Sequence, residues 1–96
     1  ILSDSDPNTY IAEANEFFNY ISKRYENVPN VLYEICNEPN GTTDWSMIRT
    51  YAGKVIDTIR ANSANAIIIV GTPVYSTQVG YAADSPLAPN NLCYTL

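Results

Sequence analysis

Histidine is missing from this chain and cysteine is scarce: Cys36 and Cys93 are the two thiols, and they form no CxxC pair. Zinc sites of the usual kind draw on clustered imidazoles and thiolates, so no metal is expected. Basic residues are few. Five Lys and Arg stand against ten Asp and Glu, for a net charge of −5. Nucleic acid calls for a basic face, and this balance argues against it. No apolar run approaches the roughly 20 residues that span a bilayer, so no membrane partner is expected. No basic start followed by an apolar stretch marks a signal peptide. The chain opens on Ile1-Leu2 rather than Met and closes on Leu92-Cys93-Tyr94-Thr95-Leu96, as if cut inside strands. An internal fragment or a processed piece is the expectation. A disulfide between Cys36 and Cys93 is possible; buried free thiols in two strands are the simpler reading.

What is present suits a globular protein. The apolar fraction is 46% with eight tyrosines, and 96 residues allow one domain at most. Asp6 can cap a helix that has Pro7 at its first position. Tyr10, Ile11, Ala14, Phe17, Phe18, Ile21 and Tyr25 recur at helical spacing, predicting a helix over about 7–26. Val31 to Cys36 is a near-continuous apolar strand broken by Glu34, a pattern typical of parallel sheets covered on both faces. Thr43 is the expected cap of a second helix over about 44–61, with Trp45 in its core. Ala66 to Val70 (AIIIV) is the clearest strand. A short helix over about 76–83 follows, capped by Ser76 and turning Val79, Ala82 and Ala83 inward. A last strand begins at Leu92. The order α-β-α-β-α-β describes β/α crossover units.

Two parallel architectures compete, and both place chemistry at the C-terminal ends of strands. A nucleotide-binding open sheet needs a glycine-rich turn. The turns here are Asn-Glu-Pro-Asn-Gly and Gly-Thr-Pro-Val-Tyr, neither a GxGxxG nor a P-loop, so no nucleotide cofactor is expected. A (β/α)₈ barrel fits better, because Asn37 and Glu38 follow one strand and Thr72 and Tyr75 the next. A full barrel takes about 250 residues. This chain supplies about three of eight strands.

Glu38 stands where the apolar run VLYEIC ends, and Pro39 follows it at once. Such a carboxylate is either a structural hydrogen-bonding group or a catalytic acid/base. Glu34 shares its strand parity, but four residues along a strand span about 13 Å, too far for the two carboxyls to act as a close pair. Glu34 is expected to be a buried, hydrogen-bonded barrel residue. Tyr75 is either an aromatic platform at the strand mouth or a packed loop aromatic. Asn40-Gly41-Thr42 matches an N-glycosylation pattern, but a glycan there would obstruct a cleft at Glu38.

VLYEICNEPN, followed by a loop, an amphipathic helix and IIIVGTP, resembles glycoside hydrolase family 5, the cellulase and endoglucanase family. Val31-Leu32-Tyr33, Glu34, Ile35, Cys36 and Asn37-Glu38-Pro39 fill that family's signature position by position. The opening ILSDSDPN is similar to the segment after the third barrel strand of bacterial members. The resemblance implies a partial catalytic domain over 1–96, running from the third helix of the barrel to the start of its sixth strand. It implies Glu38 as general acid/base at the end of the fourth strand. Asn37 would bind the sugar 2-hydroxyl and orient the carboxylates. Tyr75, where many members carry Trp, would stack on a glucose ring.

The nucleophile Glu would come from the seventh strand, which this chain lacks, as it lacks the family's histidines. The resemblance therefore implies a fragment of a secreted, monomeric endo-β-1,4-glucanase acting on β-glucan by double displacement, with the isolated fragment inactive. A mannanase or other β-glycanase of the same family is the alternative, and a non-catalytic carbohydrate-binding α/β module is a further one. Open sheet edges predict a marginally folded or aggregation-prone peptide.

Overall fold

The computed structural model describes residues 6–96. The opening Ile1-Leu2 and the residues between it and Asp6 lie outside the described residues. The Asp6 carboxylate accepts from the Asn8 backbone N–H at 2.9 Å. Pro7, with no N–H to lose, sits at the first position. The first turn over Pro7–Tyr10 is 3₁₀ (η1), and the α-helix proper, α1, is Ile11–Arg24. Ala14, Phe18 and Ser22 form its buried stripe at i, i+4 spacing. Phe17, expected on that stripe, is 56% exposed and meets Phe18 edge to face.

Three parallel strands follow in the order β1 (Leu32–Glu34), β2 (Ile67–Val70), β3 (Leu92–Tyr94). Leu32 pairs with Ile67, and Ile68 with Leu92. The first strand is shorter than its apolar run, although the Ile35 N–H still reaches the Ile69 carbonyl at 3.0 Å.

The second helix, α2 (Trp45–Asn62), covers the sheet. Its cap is Asp44, whose carboxylate accepts from the Met47 N–H at 2.9 Å, and not Thr43 as the sequence suggested. Asp is a strong capping residue, and Thr43 is buried instead of half-in. Ile48, Tyr51, Ala52, Val55, Ile56 and Ile59 are all buried, against Tyr33, Ile35, Ile68 and Val70 of the sheet. Each fully buried Ile or Val contributes about 1.5–3 kcal/mol relative to exposure. Trp45 is in the core, as expected, donating its indole N–H to the Ser85 carbonyl at 2.8 Å.

The stretch after β2 departs most from expectation. Instead of one helix from Ser76, there is a single turn, α3 (Pro73–Ser76), then α4 (Val79–Asp84). Val74, Tyr75 and Ser76 all have positive φ, and a right-handed helix cannot pass through them. Of the three residues expected to face inward, Ala82 is buried, Val79 is half-buried and Ala83 is exposed.

The sheet is covered on one face. Tyr33, Ile35, Ile68 and Val70 lie under α2, whereas Leu32, Glu34, Ile67 and Cys93 on the other face are exposed. This corrects the expectation for Glu34, which is not buried. Period-two alternation sends it to the face that no element among the described residues covers. Both thiols are free: Cys36 is buried in the segment beyond the end of β1, and Cys93 is exposed on the open face of β3. Among the described residues, no helix is long and apolar enough to cross a membrane.

Candidate active site

The C-terminal ends of the strands form one edge of the molecule. There the apolar run of β1 gives way to buried Cys36, half-buried Asn37 and exposed Glu38. Tyr51 of α2 reaches under this segment, its buried hydroxyl donating to the Ile35 carbonyl. Burial raises the Tyr51 phenol well above its ordinary range, so it remains a donor. Cys36 behaves as a small apolar residue: burial, and secondarily the charge of Glu34, push its thiol up to about 11.

Glu38 itself is left-handed, with φ 41°. A residue before proline is normally extended, so this conformation was not legible in the sequence. It turns the chain sharply at the strand end. The next residue, Pro39, is fully buried, and Asn40 closes the turn by donating its side-chain amide to the Glu38 carbonyl at 3.0 Å. Glu38 is therefore an exposed carboxylate between anchored neighbours.

The β2 end meets this turn directly. Gly71 packs on the Pro39 ring: a Cβ built on Gly71 would stand 2.8 Å from Pro39 Cδ and 3.1 Å from the Cys36 carbonyl oxygen. The Tyr75 N–H donates to the Pro39 carbonyl at 2.9 Å. The next strand joins through Thr72, fully buried, whose hydroxyl donates to the Thr95 carbonyl at 3.1 Å. The Thr95 N–H in turn donates to the Val70 carbonyl at 3.0 Å.

Tyr75 is 60% exposed and carried on the left-handed turn, with φ of 55°, 57° and 62° at Val74, Tyr75 and Ser76. For β-branched Val74 this is a true outlier. Each residue held in such a region costs about 1–3 kcal/mol, and strain of this kind concentrates at functional sites. Of the reactive residues singled out in the sequence, Asn37, Glu38 and Tyr75 come to one edge. Glu34 lies on the open sheet face.

Sequence reasoning missed Gly71. The signal for it was available: a glycine at the end of a β-branched strand marks a close backbone approach.

What the arrangement can do chemically is limited and specific. It presents one exposed carboxylate, an adjacent amide and an aromatic ring on a rigid mount. That is a proton donor and acceptor with a platform for an apolar ring face.

Comparison with known proteins points the same way. The family model described as "Cellulase (glycosyl hydrolase family 5)" matches residues 1–96. An endoglucanase of Clostridium saccharobutylicum is 51% identical over 96 residues, which are 99% of this chain and 21% of that protein. The chain thus spans about a fifth of the length of the curated relatives it matches. The solved structure of cellulase Cel5C_n superposes with a TM-score of 0.92 at 44% identity, covering 94% of this chain and 28% of the other. The catalytic domain of Thermobifida fusca endoglucanase Cel5A, a variant of which was solved with cellotetraose, gives 0.88 at 37% identity, covering 94% and 32%. The three parallel strands and their helices are part of a (β/α)₈ barrel. Matched over its whole length by the family model, the chain belongs to glycosyl hydrolase family 5, the cellulase family.

Proposed function

We propose that this chain is the segment of a retaining endo-β-1,4-glucanase that carries the general acid/base, Glu38. The observation that carries the reading is the placement of Glu38. It is an exposed carboxylate at the C-terminal end of a barrel strand, turned out by its own positive φ and anchored by buried Pro39. Barrel enzymes place their chemistry at that end. In a retaining glycosidase the acid protonates the glycosidic oxygen while a second carboxylate, about 5–5.5 Å away, attacks the anomeric carbon. Glu38, now ionised, takes a proton from the water that hydrolyses the glycosyl ester. The second carboxylate is not among these 96 residues. Glu34 does not substitute for it, because it sits within β1, four residues and about 13 Å along the chain from Glu38, too far for the pair.

Asn37 binds the 2-hydroxyl of the sugar in the adjoining subsite, and Tyr75 offers its ring to a glucose face. The names of the relatives, endoglucanases, and the cellotetraose complex of the Thermobifida fusca enzyme support a β-glucan substrate. Residues 1–96 are then a partial catalytic domain. The complete protein is a secreted monomer, since a polymeric glucan must be met outside the cell.

The test replaces the homologous segment of the Clostridium saccharobutylicum endoglucanase with residues 1–96 and measures reducing ends released from carboxymethylcellulose. Glu38→Gln in this chimera lowers kcat by about 10²–10⁴-fold, the range of general acid–base catalysis. Retained turnover would remove Glu38 from the role. The separate 96-residue peptide shows no turnover on the same substrate.

A further inference from the structure

We propose that Gly71 is a positioning residue for Glu38, acting through the Pro39 ring. The inference rests on the acid/base reading of Glu38. The contact itself is independent of that reading. Gly71 has no side chain where Pro39 Cδ would lie 2.8 Å from a Cβ, and the Cys36 carbonyl oxygen 3.1 Å. These two neighbours flank Asn37-Glu38 on either side. Both belong to rigid groups, one a pyrrolidine ring and the other main chain. Neither can swing aside as a flexible side-chain end would.

Pro39 is fully buried and its carbonyl holds the Tyr75 N–H at 2.9 Å. A push on the ring is therefore not dissipated into solvent. It passes to the Glu38 peptide on one side and to the Tyr75 turn on the other. Glu38 is already in the left-handed region, where its allowed φ/ψ area is small, so a shifted Pro39 moves the carboxylate rather than relaxing around it. The β2 end thus sets where the β1 carboxylate stands, and glycine is the residue that lets the two strand ends approach closely enough.

The experiment uses the chimera described above and two substrates that differ in leaving group. A sugar leaving group needs the acid, whereas a dinitrophenolate leaves without protonation. Gly71→Ala lowers kcat on cellopentaose by about tenfold to a hundredfold, as an ångström-scale misplacement does. On 2,4-dinitrophenyl β-cellobioside the first turnover slows by no more than about threefold. A merely structural defect would reduce both rates alike, and that result overturns the proposal, as does no loss on either. Adding Pro39→Ala to Gly71→Ala makes room for the new methyl, and the double variant recovers part of the cellopentaose rate. If Gly71→Ala does not fold, Pro39→Ala alone carries the test: slack at the ring gives the same leaving-group-selective loss, and an equal loss on both substrates overturns the proposal. Glu38→Gln is run in parallel. If it keeps full activity on cellopentaose, the acid/base reading fails. If it loses activity while Gly71→Ala keeps it, the positioning role fails alone.

Discussion

The two faces of the three-stranded sheet are built from the same kind of residue and end in opposite environments. Ile67 is 41% exposed, whereas its neighbour Ile68 is fully buried. Leu32 and Tyr33 divide in the same way at 55% and 5%. One face is sealed by α2, whose apolar stripe lies on it. The other carries Leu32, Glu34, Ile67 and Cys93 toward solvent. In a (β/α)₈ barrel that second face lines the interior, where layers of side chains from all eight strands pack together. Hydrophobicity along the strands is set for both faces. Burial is realised only where the packing partner is part of the chain. A local sequence can prepare a surface for a neighbour, but the neighbour determines what that surface contributes.

The sharpest way to break this comparison is a pair of alanine substitutions at adjacent positions. In the 96-residue chain, Ile68→Ala costs about 2–5 kcal/mol, the range for a truncated buried Ile. Ile67→Ala costs less than about 1 kcal/mol there, as expected of an exposed position. Urea unfolding at several protein concentrations measures both. Equal costs at low concentration would mean that the open face is covered after all. In the full-length chimera the Ile67→Ala cost rises toward that of Ile68→Ala.

A smaller effect comes from alkaline pH. The Cys36 thiol is pushed from 9.0 up to about 11, first by burial and then by the charge of nearby Glu34. The folded value lies above the unfolded one. The thiol's contribution is therefore complete below about pH 9 and is lost as pH rises through about 11. The difference corresponds to about 2–3 kcal/mol. Urea midpoints of the chimera across that window fall for the native sequence and fall less for Cys36→Ala. Tyr51, raised by burial as well, extends the loss to higher pH.

The gentlest probe is thiol labelling, which changes no residue. Cys93 on the open face reacts with a disulfide reagent in the folded 96-residue chain, while buried Cys36 reacts only after denaturation. Two fast thiols without denaturant would show that the buried segment between β1 and Glu38 opens easily. In the chimera, Cys93 slows as the rest of the barrel covers it.

Much of the fold was legible in the pattern. Ala14 and Phe18 on one helix and Ile48, Ala52, Val55, Ile56 and Ile59 on the other repeat at helical spacing, and AIIIV marks a strand with little ambiguity. Asp6 and Pro7 marked a helix start that the structure keeps. Thr43 and Asp44 are both good caps and adjacent in sequence. Only the geometry of the entering loop chose Asp44. The turn at Val74-Tyr75-Ser76 was not legible, because nothing local favours left-handed backbone in a β-branched and an aromatic residue. It is held from outside, by the Pro39 carbonyl on the Tyr75 N–H.

The candidate site divides along the same line. Its residue types, Asn37, Glu38 and Tyr75, could be read from the sequence, since each follows a strand of a β/α repeat. Their relation could not, because it depends on contacts between residues more than 30 positions apart, Pro39 with Gly71 and with Tyr75.

By itself the sequence determined the alternation of helices and strands, the parallel sheet, the family and the carboxylate at a strand end. These follow from short-range periodicity and from a contiguous motif. Tertiary structure alone decided that Glu38 turns out through a left-handed residue, that Glu34 lies exposed, that the two thiols part company, and that Gly71 sits against Pro39. Those outcomes depend on which surfaces are brought into contact, and contact between distant segments is not encoded in the spacing of neighbours.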